Sequence, residues 1–362
     1  MPVSSSNPDP TQRPRFKSFP VRGHPPVLLI PGLCGSRLIH NQLIAWPCTA
    51  APLTSLNVLR WPNKQVIADE VVTEWDIAGL LRFNTGYGQL RSALTRRFGY
   101  RRGENLVEFA YDWRQDCRRS AVQLRAHVQT WKREYLGANP QIVILAHSMG
   151  GLVARYWIER LGGAADVSAL ILIGSPLDGT PLAFEYLVRG APFIPFHSIQ
   201  QKLAAVVQTM PAIYQLLPSR PFVFTPTGEP VDIYTEREWL PSRYHALLDD
   251  SRAFYAELGR TSSVPTVTII GRGVPTAARI IVDTQQPDAW CDARIERDGH
   301  GDGLVPVASA RLAGGREHVV ACDHEALLTH ECVFRFFDPK MMRPAEQNRS
   351  VTRREGALSV AA

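Results

Sequence analysis

The sequence predicts an α/β protein on a doubly wound, mostly parallel sheet. Three observations predict it. Short apolar runs alternate with stretches whose apolar residues recur at helical spacing. The apolar runs end in turns rich in glycine and proline. One of these turns, AHSMGG at 146–151, joins a strand pattern to a helix pattern around a serine. Small residues on both sides of a serine let the chain turn sharply enough to present the hydroxyl at a helix N-terminus. There, free N–H groups and the helix dipole favour negative charge.

Taken in order, residues 27–30, VLLI, are a buried strand that runs into Pro31-Gly32-Leu33-Cys34-Gly35-Ser36. A glycine-rich turn after such a strand lets backbone N–H groups face a cavity, and the N–H of Leu33 is the candidate donor. Residues 37–84 lack clean periodicity but hold Trp46-Pro47, Trp61-Pro62 and Trp75. They read equally as a lid or substrate-contact segment and as a surface loop anchored by its tryptophans. Residues 87–98 are helical, with Leu90, Leu94 and Phe98 on one face and Gly99 as the stop. A strand over 105–110 leads into YDWR at 111–114. Leu124, Val128, Trp131 and Tyr135 then mark a long amphipathic helix, with His127 beside that face as a structural residue.

The serine turn follows, from the strand that begins at Ile142 to a helix ended by Gly162-Gly163. The next strand, 169–173, ends in Gly174-Ser175-Pro176-Leu177-Asp178-Gly179-Thr180. Residues 181–262 interrupt the alternation with apolar helical pieces and seven prolines between 192 and 230. The segment reads as a cap insertion that lines an acyl-chain pocket, or as an excursion with a small core of its own. The sheet resumes at 264–270, a hairpin spans 278–283 and 291–297, and RDGHGDGLVP follows. The last strand, 318–322, leads at once to His324 and a final helix, DHEALLTHECVFRFF. No internal repeat is present.

Chemistry follows from where these residues fall. A serine hydroxyl needs a base within hydrogen-bond reach, ordinarily a histidine oriented by a carboxylate. On a sheet of this kind the three arrive in the order serine, acid, histidine. Ser148 is the candidate nucleophile. His324, directly after the last strand, is the candidate base, ahead of His147, His300 and His330. Asp302, in a turn flanked by glycines, is the candidate acid. Asp178 is the alternative, and Asp283 and Asp298 are weaker. The N–H groups of Leu33 and Met149 are the candidate oxyanion donors. Asp298, His300 and Asp302 also invite a metal-loop reading, but they lack the ligand spacing of a calcium loop. No metal or cofactor is expected.

Composition bounds the rest. Hydrophobic residues make up 45% of the 362, enough for a sizeable core. No apolar run is long enough for a spanning helix, and the polar, proline-rich N-terminus lacks the pattern of a secretory signal. The expectation is a cytoplasmic protein, with peripheral membrane contact as the variant. The organisation expected is a disordered arm over 1–24, a catalytic domain over 25–339 and a disordered basic tail over 340–362. The net charge of +6 lies in the two ends, and the body between them has equal numbers of acidic and basic residues. That balance argues against a nucleic-acid groove and leaves a weak attraction of the tails to an anionic membrane surface. Six cysteines without CxxC or zinc spacing read as reduced core thiols.

Pro31-Gly32, YDWR at 111–114, AHSMGG at 146–151, LIGSPLDGTP at 172–181, MPAIYQLLPS at 210–219, GDGLVP at 301–306 and the His324 segment together resemble the lecithin:cholesterol acyltransferase family, which includes lysosomal phospholipase A. The resemblance covers most of residues 26–338. It implies an α/β-hydrolase fold with an inserted cap and a lid segment, and a triad of Ser148, Asp302 and His324. It also implies transfer or hydrolysis of fatty acyl groups from lipid esters near a membrane interface. Secreted and lysosomal members carry a lid loop bounded by cysteines. Here Cys34 lies inside the oxyanion turn and Cys48 only 14 residues on, so the disulfide is not carried over. A soluble carboxylesterase for short esters and a non-catalytic lipid-binding relative are the alternative functions.

Overall fold

The computed structural model describes residues 25–47, 53–77, 81–137, 141–190, 197–286 and 289–337. The expected N-terminal arm and basic tail lie outside the described residues. The central sheet has six strands: β1 (Val27–Ile30), β2 (Leu106–Glu108), β3 (Ile142–His147), β4 (Val167–Ile173), β5 (Thr266–Arg272) and β6 (Arg316–Ala321). Their spatial order is β6-β5-β4-β3-β1-β2, and every neighbouring pair is parallel. A parallel sheet covered on both faces needs apolar side chains on both, which is why β1 and all of β3 before His147 are apolar runs. Both are buried along their whole length.

Side-chain alternation sorts those runs between two layers. Leu28, Ile30, Ile142 and Ile144 pack with helices α2 (Cys117–Trp131) and α3 (Gly150–Arg160). Val27, Leu29, Val143 and Leu145 pack with helix α1 (Tyr87–Phe98) and with Phe337 near the C-terminal end of the described chain. Helix α1 stops where expected: Gly99 takes a left-handed φ of 71° and its N–H closes on Leu94 O. The chain leaves β1 toward β2 on one side and returns as β3 on the other. The turns after β1 and β3 therefore face each other across the switch point, where sheets of this kind bind ligands.

Residues 36–84 are more regular than their sequence suggests. Strands Ser36–His40, Leu43–Trp46 and Val66–Val71 form an antiparallel sheet, and Glu74–Ile77 pairs with Leu81–Asn84. The alternation is hidden by register shifts around Leu38, and the turn between the first two strands places Asn41 and Gln42 at positive φ. Beyond β4 lie α4 (Pro181–Arg189), α5 (His197–Val207) and α6 (His245–Leu258). Phe184, Ile213 and Trp239 belong to the same apolar cluster as Leu28 and Ile144, so the described residues of this segment share the sheet's core.

Two expectations need correction. The final helix is broken. His330 has extended backbone (ψ 140°) and its Nδ1 accepts the Cys332 N–H, so a 3-10 turn over Ala326–Thr329 gives way to a fresh helical start at Glu331. The cysteines are not uniformly core thiols. Cys117 and Cys332 are buried, but Cys291 is exposed and Cys34 half-buried; Cys48 lies outside the described residues.

Candidate active site

The serine turn is built by close approach. Ser148 has φ 53°, a left-handed backbone that is strained for a residue with a side chain. Its N–H bonds to Ile173 O at 2.9 Å, which fixes the turn to β4. A Cβ on Gly150 would lie 2.5 Å from Pro31 O, and one on Gly151 2.2 Å from Ser175 Oγ. A Cβ on Gly32 would lie 2.7 Å from Ser148 Cβ. The glycines on both turns thus allow the two to pack directly against each other. Ala146 is a buried residue of β3.

Asp302 and His324 meet on the other side. Asp302 Oδ1 accepts N–H bonds from Leu304 (3.0 Å) and Val305 (2.7 Å), which orients the carboxylate. Its Oδ2 lies 2.7 Å from His324 Nδ1, and the His324 N–H donates to Asp302 O at 2.9 Å. Both side chains are nearly inaccessible to solvent. An acceptor on Nδ1 places the neutral ring's proton there and leaves Nε2 free to accept one. Gly271, at the end of β5, faces the Asp302 Cβ, and Gly174, after β4, faces the His324 ring, each in a space that a side chain would fill.

Asp178 is engaged elsewhere. It accepts the Ser219 hydroxyl and pairs with Arg220 (3.3 Å) and Arg260 (3.5 Å). His300 and Asp298 line a separate surface pocket with Arg220 and Arg311. Among the described residues no group of acids, histidines and cysteines is arranged to hold a metal ion.

Ser148 and His324 line one cavity of about 320 Å³, with Leu33, Trp46, Leu182, Ile213 and Leu304 among its apolar walls. Within the described residues the Ser148 hydroxyl has no hydrogen-bond partner, so it is open to the cavity. Catalytic hydrogen bonds of unliganded enzymes commonly close only around substrate. Gly32 N–H is already taken by Tyr87 Oη at 2.9 Å. The next amide, Leu33, has no acceptor among the described residues, and neither has Met149. A larger open groove of about 600 Å³ runs along α1, lined by polar residues such as Arg91 and Arg96, and contains neither Ser148 nor His324.

Sequence reasoning missed two features. Tyr87, at the start of α1, reaches the oxyanion turn and His147, and only its contact order of 55 to 60 residues hid it. YDWR is structural scaffolding around that same turn. Tyr111 Oη donates to Pro31 O (2.9 Å), Trp113 Nε1 donates to Ser36 O (3.0 Å), and Arg114 is buried against Asp112.

Comparison with known proteins adds to this geometry. A model of the lecithin:cholesterol acyltransferase family matches residues 81–274. Relatives named lysosomal phospholipase A and acyltransferase include one from Canis lupus familiaris, 27% identical over 255 residues, covering 62% of this chain and 58% of that protein. The one from Homo sapiens is 23% identical over 357 residues, covering 81% and 82%. The chain thus spans little more than half of the first relative and about four-fifths of the second. Among solved structures, a chain of the Tle4-Tli4 complex superposes with a TM-score of 0.63 at 16% identity, covering 88% of this chain and 99% of that one. That likeness concerns the fold, which is of the α/β-hydrolase type.

Proposed function

Since the chain belongs to the lecithin:cholesterol acyltransferase family, we propose that it is a serine-dependent acyl hydrolase or O-acyltransferase for lipid esters, with Ser148, Asp302 and His324 as its triad. The observation that carries this reading is the strained Ser148 opening into the same apolar cavity as a buried His324 already bonded to Asp302.

The chemistry follows from those positions. An ester carbonyl in the cavity meets the Ser148 hydroxyl, whose proton passes to His324 Nε2 as the Oγ–carbon bond forms. Asp302 holds the imidazole in the tautomer that can accept and stabilises the imidazolium that results. The carbonyl oxygen becomes an oxyanion and takes the N–H groups of Leu33 and Met149, each typically contributing ~3 kcal/mol at this stage. His324 returns the proton to the departing alcohol. The acyl group stays on Ser148 until water or an acceptor alcohol, deprotonated by the same histidine, removes it. Apolar walls that include Leu182, Ile213 and Leu216 suit an acyl chain.

The test is turnover of p-nitrophenyl esters from butyrate to palmitate by wild type and Ser148→Ala. The expected result is turnover of long chains that the variant loses while its melting temperature holds. Retention of wild-type rates in Ser148→Ala would overturn the assignment. Turnover confined to short esters would replace the lipid substrate with a soluble carboxylesterase's.

A further inference from the structure

The oxyanion turn, the serine turn and the His324 loop are three separate pieces of chain, and one buried run of hydrogen bonds ties them together. Gly32 N–H donates to Tyr87 Oη at 2.9 Å. Tyr87 Oη lies 2.7 Å from His147 Nδ1, and His147 Nε2 lies 3.2 Å from His324 O. A backbone carbonyl only accepts, so Nε2 carries the imidazole proton. Nδ1 of that tautomer is an acceptor, and the Tyr87 hydroxyl donates to it. The tyrosine oxygen keeps a lone pair for Gly32. Every donor in the run faces an acceptor with one neutral tautomer.

The setting keeps it so. Burial, and next the neighbouring His324, push the basicity of His147 well below the ordinary histidine range, and burial pushes the Tyr87 hydroxyl up. Tyr87 packs edge-on to the His147 ring at 5.5 Å, and the His147 and His324 rings lie 4.7 Å apart. With Nε2 committed to His324 O, His147 is not placed to take a proton from Ser148.

We propose that Tyr87 and His147 are positioning residues that hold the oxyanion turn and the main chain of His324 against Ser148 as one unit. The proposal rests on the acyl-transfer reading of the site and goes beyond it. Its catalytic consequence is geometric. Oxyanion donors act within a few tenths of an ångström of their best distance, and a misplacement of about 1 Å costs on the order of 100-fold. Tyr87 fixes Gly32, whose neighbour Leu33 supplies the donor; His147 fixes the backbone that carries the base. Breaking either link disconnects the two ends from each other.

The experiment compares wild type, Tyr87→Phe, His147→Leu and the double variant on a long-chain p-nitrophenyl ester. Active sites are counted with a fluorophosphonate. Tyr87→Phe keeps the ring and its packing and removes only the hydroxyl. Each single variant is expected to lower kcat per titrated site by roughly 10- to 100-fold with KM within about twofold. The double variant is expected to be no slower than the worse single, because one broken link already disconnects the run. Unchanged kcat per site, or losses that multiply in the double variant, would overturn the proposal. Imidazole nitrogen-15 spectra give a readout independent of turnover. His147 is expected as the neutral Nε2–H tautomer, and Tyr87→Phe is expected to move the His324 signals; unmoved His324 signals would overturn it as well. Turnover that Ser148→Ala abolishes establishes the activity before the variants are judged. An inert wild type fails the activity alone, and the spectra still decide the positioning.

Discussion

Two aspartates in loops, Asp178 and Asp302, are given different work by their partners. Asp302 is nearly fully buried, takes two backbone N–H bonds on one oxygen and His324 on the other. Asp178 neutralises Arg220 and Arg260 at the surface of the insertion. Asp302→Asn is therefore expected to lower kcat by ~10³- to 10⁴-fold, because an amide donates to Nδ1 and favours the wrong tautomer. Asp178→Asn is expected to leave kcat within about threefold, since Asp178 pairs with the exposed Arg220 and Arg260 and not with His324. Steady-state rates per titrated active site separate the two, and equal losses would reassign the acid. Ser148, His324 and Asp302 stand out as candidates in the sequence because each sits at a strand end or between glycines, where local pattern reports geometry. Tyr87 does not. A tyrosine opening an amphipathic helix reads as core, and nothing local says that its hydroxyl meets residues 55 and 60 positions away. His147 was set aside for lying beside the serine, a correct reading of its reach that left its actual partners open.

At the scale of elements, YDWR packs behind the candidate site and does not line its cavity. Arg114 is fully buried, makes two bonds to Asp112, and spreads its remaining N–H groups over the carbonyls of Val58, Arg60 and Asn63. Its guanidinium also stacks over Trp61 at 5.7 Å. This one side chain fastens the connection between the second and third antiparallel strands to the loop that precedes α2. Arg114→Ala would leave Asp112 and three carbonyls without their donor, and is expected to cost about 3–5 kcal/mol of stability. Thermal melting checks it, with a shift of less than about 2 °C counting against the anchoring role. The segment it anchors was the least legible part of the chain. Bulges around Leu38 break the two-residue alternation that marks a strand, so residues that pair into a sheet read as an aperiodic loop. The final helix failed for the opposite reason. Its apolar spacing is helical throughout, but the His330 side chain caps a new start and stops the preceding turn from continuing.

For the whole molecule, the parallel, doubly wound sheet was legible in the alternation of apolar runs with helical stretches, because strands buried on both faces read as continuous apolar runs. What no periodicity reveals is how burial retunes the titrating groups. His127, His147 and His318 are all pushed below the ordinary histidine range, each chiefly by desolvation. A histidine whose folded pKa is depressed binds its proton more readily in the unfolded chain. Stability is then intact above the unfolded value of about 6.5 and falls as pH drops below it. Glu325, on the wall of the cavity that Ser148 and His324 line, works in the opposite direction. Burial raises its carboxyl above 4.5, with His324 partly offsetting the shift, so ionising it at neutral pH disfavours the folded chain. That loss is present above the raised value and disappears as pH falls through it. Melting temperature is thus expected to fall between pH 7.5 and pH 5.5 in wild type, and to fall less in His147→Gln, which removes the most deeply buried of the three histidines. Glu325→Gln is expected to raise the melting temperature at pH 7.5 and to leave it unchanged near pH 3.5, where the native carboxyl is already neutral. Identical slopes in wild type and His147→Gln would show that the acid loss belongs to other groups. A gain from Glu325→Gln that persists at pH 3.5 would mean that packing, not charge, sets its effect.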